Sequence, residues 1–213
     1  MASQLAILDA TARSAAPRRP RPIHPLIVRL THWLNAAAVM VMILSGWQIY
    51  NAYPILPFRF PEGITLGGWL GGALLWHFAA MWLLMANGLV LFAYGIASGR
   101  YRRKLLPVSP RAVIAEALAA LRGELSHARL DTYNAVQKLL YLGVLGLLLV
   151  IVASGFAIWK PVQLAWLTGL LGGFQGARIV HFLAMTGIAG FIVVHVVMAL
   201  LVPRSLIAMV RGR

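Results

Sequence analysis

Hydrophobic and polar positions alternate along this chain in long blocks. Four apolar runs, at residues 26–50, 66–97, 133–159 and 178–203, are each long enough to cross a hydrocarbon core of about 30 Å as a helix. Pro54, Pro57 and Pro61 forbid a continuous helix between the first two runs. The second run opens on the glycine-rich GGWLGG and exceeds what a bilayer needs, so it must tilt or protrude. After the basic cluster at 100–104, the apolar spacing at 109–121 predicts a short helix, either along the membrane surface or within a soluble loop. The segment PVQLAWLTGLLGGFQGA before the fourth run is apolar enough to lie in the interface, with Trp159 and Trp166 as belt aromatics. No internal repeat is evident. The expected organisation is one four-helix domain over 24–203. Residues 1–23, which lack an apolar signal-peptide core, form a disordered basic cytoplasmic tail before it, and 204–213 form a second basic tail after it.

Composition names the class. Of 213 residues 61% are hydrophobic, far above the soluble norm, so the fold class is all-α and integral to a membrane. A formal charge of +14 would suit a nucleic-acid binder if it were gathered on one face, but here it is parcelled out between apolar runs. All but three of the 19 Lys and Arg lie in the first tail up to Arg29, the 100–138 segment and the last tail. The exceptions are Arg59, Lys160 and Arg178. The positive-inside rule then puts both termini in the cytoplasm. With no cysteine there can be no iron–sulfur cluster and no covalently attached haem, so a redox centre would need histidine or methionine.

The histidines change the picture most. His181 and His195 both lie in the fourth run, and their fourteen-residue spacing sets them about 40° apart and about 21 Å apart along one helical face. With the orientation above, His32 early in the first run and His195 late in the fourth share the inner level. His77 and His181 share the outer level, though less well: they lie about 10 and about four residues into their runs, roughly 9 Å of mismatch. A glycine-rich start of the second run that projects beyond the core accounts for that mismatch. Two transverse pairs are the economical arrangement, and they predict two bis-histidine haems stacked across the membrane. The competing reading of His181 and His195 is two histidines hydrogen-bonded to neighbouring helices.

A bare zinc or copper ion fits less well, because two histidines per level leave its shell incomplete. Gly46, fourteen residues after His32, would let the outer haem lie against the first helix, unless it serves ordinary small-residue packing. Arg29 and Arg178 each precede a proposed ligand by three residues and so share its face toward the surface, where a haem propionate would sit. Arg29 could equally be a topology anchor. His24 and His127 read as solvated surface residues, and most of the eight methionines as lipid or core packing, with no ligand assigned among them.

RLTHWLNA in the first run, the lone His77 of the second, YNAVQKLLY at the head of the third and H-x13-H in the fourth resemble the di-haem cytochrome b subunits of nickel-iron hydrogenases, formate dehydrogenases and thiosulfate reductases. The resemblance covers residues 24–203. It implies that two haem b groups are held by His32 with His195 and by His77 with His181, in agreement with the pairing by depth, and that the protein lies in the bacterial inner membrane. GRYRRKLLP and AIWKPVQL resemble a branch that accompanies periplasmic molybdopterin oxidoreductases. The family also implies a site for ubiquinone or menaquinone beside the inner haem. Tyr133, Asn134, Gln137 and Lys138 stand there, the last three at i, i+3 and i+4 on one face. The alternative is that Lys138 snorkels while Tyr133 and Asn134 cap the helix. His127, Arg129 and Asp131 are candidates for proton exchange with the cytoplasm.

Three function classes follow. The leading one is transmembrane electron transfer between the quinone pool on the inner side and a periplasmic redox protein on the outer side. The second resembles the free-standing small cytochrome b that oxidises superoxide and reduces quinone, with Arg59, Lys160 and Arg178 steering the anion. The third, a haemless transporter or scaffold, leaves four histidines at paired depths unexplained.

Overall fold

The structure, a computed structural model, describes residues 24–99, 109–122 and 135–212. The expectations for the 1–23 tail, the 100–104 basic cluster, His127, Arg129, Asp131, Tyr133 and Asn134 lie outside these residues. Among the described residues every regular element is helical: α1 Leu26–Ala52, α2 Leu70–Ala97, α3 Pro110–Leu121, α4 Ala135–Trp159, α5 Ala165–Leu170, α6 Gly173–Leu201 and α7 Pro203–Arg211, with one 3-10 turn at Glu62–Ile64. Helices α1, α2, α4 and α6 run for 27, 28, 25 and 29 residues and are apolar enough to cross a membrane. Large apolar side chains point outward (Leu75 is 75% and Leu149 74% exposed), whereas the interior is lined with Ala38, Ala73, Ala80, Ala157, Ala177 and Ala184. That inversion is how helices pack in lipid, where small residues allow close approach and burial of leucine gains nothing.

The extensive packing is within two hairpins, α1 with α2 and α4 with α6. Across the gap between them the approach is made by side chains: Tyr50 stacks on Phe182 at 5.1 Å and Phe78 lies 5.3 Å from Trp159. The α1–α2 connection is held by its own polar clasps. The Asn51 amide donates to the Phe60 carbonyl and accepts from the Phe60 N–H, at 2.8 and 2.9 Å, while Trp47 stacks on Phe60 at 4.6 Å. At the other end of the bundle, Glu116 of α3 accepts the N–H groups of Ala135 and Val136 at 2.6 and 3.2 Å. A carboxylate thus satisfies the orphan donors and the positive end of α4, which anchors the short helix to the third span.

Three boundaries depart from the sequence reading. The second span begins at Leu70 and not at 66, because Gly67 and Gly68 take positive φ (111° and 70°) and turn the chain before the helix starts. The fourth begins at Gly173, earlier than expected, just after Gly172 in the left-handed region (φ 84°). His77 and His181 therefore lie seven and eight residues into their helices, and the expected 9 Å mismatch and the projecting glycine-rich start both disappear. The 204–213 tail, finally, is mostly helix. α7 starts at Pro203, which a first turn accepts because its missing N–H would be unpaired there anyway, and it ends on Gly212 with φ 84°.

Candidate functional site

α6 carries His181 near one end of the bundle and His195 near the other, and each meets a histidine from the opposite hairpin. The ring centroids of His77 and His181 are 6.5 Å apart, and those of His32 and His195 are 6.0 Å apart. Two imidazoles that shared one metal ion, each through one nitrogen at about 2 Å, would have their centroids roughly 6 Å apart, and both pairs stand near that separation. Among the described residues no three of His, Cys, Asp or Glu gather as a bare metal ion would need.

A cleft with about 910 Å³ of empty space, part of it open to the surroundings, lies around the outer pair. All four long helices contribute to its walls, through residues such as Val39, Gly46, Leu84, Ile151 and Phe182, and the lining is almost wholly apolar. Such a cleft suits a flat hydrophobic macrocycle. A side chain at Gly46 would meet His77 Cε1 at 3.5 Å, and one at Gly155 would meet His181 Cε1 at 3.3 Å, so the two glycines give the rings their room from opposite sides.

Both outer imidazoles are also held from behind. Ser45 Oγ lies 3.0 Å from His77 Nδ1, and Ser154 Oγ lies 3.0 Å from His181 Nδ1. With Nδ1 engaged, the remaining nitrogen of each ring is the one free to ligate. The residues at this level fit a bis-histidine haem. Neither serine nor Gly155 was singled out in the sequence. The signal that could have found them is the pair of dipeptides Ser45-Gly46 and Ser154-Gly155, which recur in the first helix of each hairpin but are too short to register as a repeat.

The inner pair is framed differently. His32 packs edge-on against Trp33 at 5.3 Å and His195 stacks on Phe191 at 5.7 Å, and among the described residues neither ring nitrogen has a hydrogen-bond partner. Behind His32, the buried Asn87 of α2 donates to the Thr31 carbonyl at 2.7 Å and to Asn35 Oδ1 at 2.8 Å, tying α2 to α1 at this level.

The remaining sequence candidates divide. Arg178 lines the cleft one turn from His181, and its guanidinium donates to Gln175 Oε1 at 2.8 Å and to the Tyr53 carbonyl while lying 4.9 Å over the Tyr53 ring. Arg29 donates to the carbonyls of Met209 and Val210, closing the C-terminal end of α7. Gln137 and Lys138 are half-buried in the first turn of α4, at the end of the bundle that holds His32 and His195. His24, expected to be solvated, is half-buried beside Gly212. Met42 and Met185 belong to the cleft wall and not to lipid.

The family model described as prokaryotic cytochrome b561 matches residues 23–212. The chain is 54% identical over 190 residues, 89% of its length and 96% of the relative's, to the Azospira oryzae protein named as protein-methionine-sulfoxide reductase subunit YedZ1. It is 26% identical over 189 residues, 81% of this chain and 76% of the other, to a Cupriavidus necator protein named as a Ni/Fe-hydrogenase B-type cytochrome subunit. A Bradyrhizobium diazoefficiens protein of the same name is 22% identical over 204 residues, 88% of this chain and 81% of the other. No solved structure matches the chain significantly.

Proposed function

The chain belongs to the prokaryotic cytochrome b561 family, multi-pass membrane electron-transfer subunits whose membership implies haem b, and from that premise we propose that it carries electrons across the bacterial inner membrane from a quinol to an oxidoreductase on the outer side. His77 with His181 holds an outer haem, and His32 with His195 an inner one. The observation that carries this reading is the pair of ring separations, 6.5 and 6.0 Å, at opposite ends of one helix. When bound, the two haems supply one-electron carriers that link the two faces. The chain's own part is to hold those carriers, keep water from the outer one with apolar walls, and present polar side chains to quinone at the inner end. Both termini lie in the cytoplasm, which follows the bias of Lys and Arg.

Gln137 and Lys138 in the first turn of α4, with Tyr133 and Asn134 just before them, are the proposed quinone-facing residues, and Arg178 with its unused guanidinium protons faces an outer propionate. The outer partner we propose is a reductase that acts on methionine sulfoxide in proteins. That proposal leans on the name of the Azospira relative and on 54% identity over nearly the whole of both chains.

Two measurements on native membranes test the reading. A tagged chain solubilised in mild detergent should bring down an outer-side oxidoreductase, and a quinol analogue should reduce its haems. Haems that accept electrons from a small chemical reductant but never from quinol would overturn the quinone assignment. Isolation without a partner, together with haem reduction by superoxide, would favour the free-standing enzyme.

A further inference from the structure

The outer level contains a matched hydroxyl on each side, and satisfying those hydroxyls determines how the histidines are protonated. Ser45 and Ser154 are both fully buried. Ser45 Oγ lies 2.6 Å from the Val41 carbonyl, and Ser154 Oγ lies 2.7 Å from the Val150 carbonyl, each four residues back on its own helix. A carbonyl can only accept, and a serine has one proton, so the hydroxyl proton goes to that carbonyl. What faces the imidazole is a lone pair. The 3.0 Å contacts to His77 Nδ1 and His181 Nδ1 are then bonds in which Nδ1–H donates.

We propose that Ser45 and Ser154 are a matched pair of positioning residues that lock both outer imidazoles as Nδ1–H tautomers, aim both Nε2 atoms into the cleft and lower the outer haem's reduction potential. The proposal rests on His77 and His181 being that haem's ligands. A buried serine bonded to its own preceding turn is ordinary helix packing when it stands alone. Here the same hydroxyl meets the Nδ1 of the partner helix's histidine in both hairpins, and the glycine that follows each serine leaves room for the edge of that ring. A hydrogen bond from Nδ1–H raises the basicity of the ligating nitrogen, and a more basic ligand favours ferric over ferrous iron. The inner pair, with aromatic neighbours in place of hydroxyls, lacks this bias.

The test uses the full-length haem-loaded protein and reads a property other than turnover. Ser45→Ala, Ser154→Ala and the double variant are titrated potentiometrically, and their ferric low-spin signals are recorded by electron paramagnetic resonance. Each single variant should raise the outer potential and the double should raise it further, with the inner haem unmoved as the internal control for folding. Ser45→Thr, which keeps the hydroxyl, should stay at the wild-type potential. Selective loss of the outer haem in the double variant would also support a positioning role. The proposal fails if the double variant leaves the outer potential and signal unchanged, if both haems shift or are lost together, or if Thr moves the potential as far as Ala. His77→Ala distinguishes the premise: retention of both haems there would reject the ligand assignment itself, whatever the serines do.

Discussion

The two histidine pairs have nearly the same ring separation but opposite surroundings. The outer pair lies seven and eight residues inside its helices, with a serine behind each ring, a glycine beside it and Arg178 in the wall of the cleft. The inner pair lies six residues from the ends of α1 and α6, against Trp33 and Phe191. Both levels thus sit at nearly the same depth in their helices, and what sets them apart is what backs the rings, hydroxyls and glycines at one and aromatic side chains at the other. The difference teaches that a shared ring separation does not bring shared surroundings, so each level can be perturbed without the other.

The most disruptive way to break the comparison is to fill the outer level. Gly155→Val would place branched methyls where even a bare Cβ lies 3.3 Å from His181 Cε1, and a packed interior cannot yield that space cheaply. The outer haem should be lost and the inner one kept, which pyridine haemochrome analysis would show as half the wild-type haem per chain. Equal loss of both would mean that the two levels are not independent.

On the inner side, Gln137→Leu keeps the bulk and removes the amide. If quinone binds there, losing one hydrogen bond of about 1 to 3 kcal/mol slows quinol-driven haem reduction by up to roughly a hundredfold, while dithionite reduces both haems as before. A variant that slows neither would move the quinone site elsewhere.

Arg178→Leu sharpens the comparison more gently. Removing a positive charge near the outer site disfavours the reduced state there, so the outer potential should fall while the inner one holds. Since Arg178 also ties α6 to the Tyr53 carbonyl, Arg178→Lys serves as the control that keeps charge and loses the fork. The smallest effect belongs to Glu116→Ala, which strips the carboxylate from the start of α4 and should lower stability by about 0.5 to 2 kcal/mol in a denaturant titration, without moving the outer haem's spectrum.

How much of this was legible beforehand differs between the levels for a physical reason. Four spans and four histidines at paired depths follow from apolar run length and helical rise, which are properties of single segments. The 9 Å mismatch came from the same source: hydropathy does not register that Gly67, Gly68 and Gly172 adopt positive φ, so it moved one helix start too early and the other too late. Ser45 and Ser154 were invisible because a serine among apolar residues has its backbone-bonding role within its own helix. Its second role appears only when the partner helix brings a ring nitrogen to 3.0 Å. Arg29 shows the same limit, since a face shared with His32 suggests a propionate partner, whereas its bonds to the last carbonyls of α7 join positions far apart in the sequence and appear only in the fold.

The central claim, two separate bis-histidine levels, is tested most directly by counting haem in three proteins: wild type, His77→Ala and His195→Ala. The account predicts two non-covalent b haems in the first and one in each of the others, with the two variants retaining haems of different potential. A single haem in the wild type, or the same surviving haem in both variants, would contradict it.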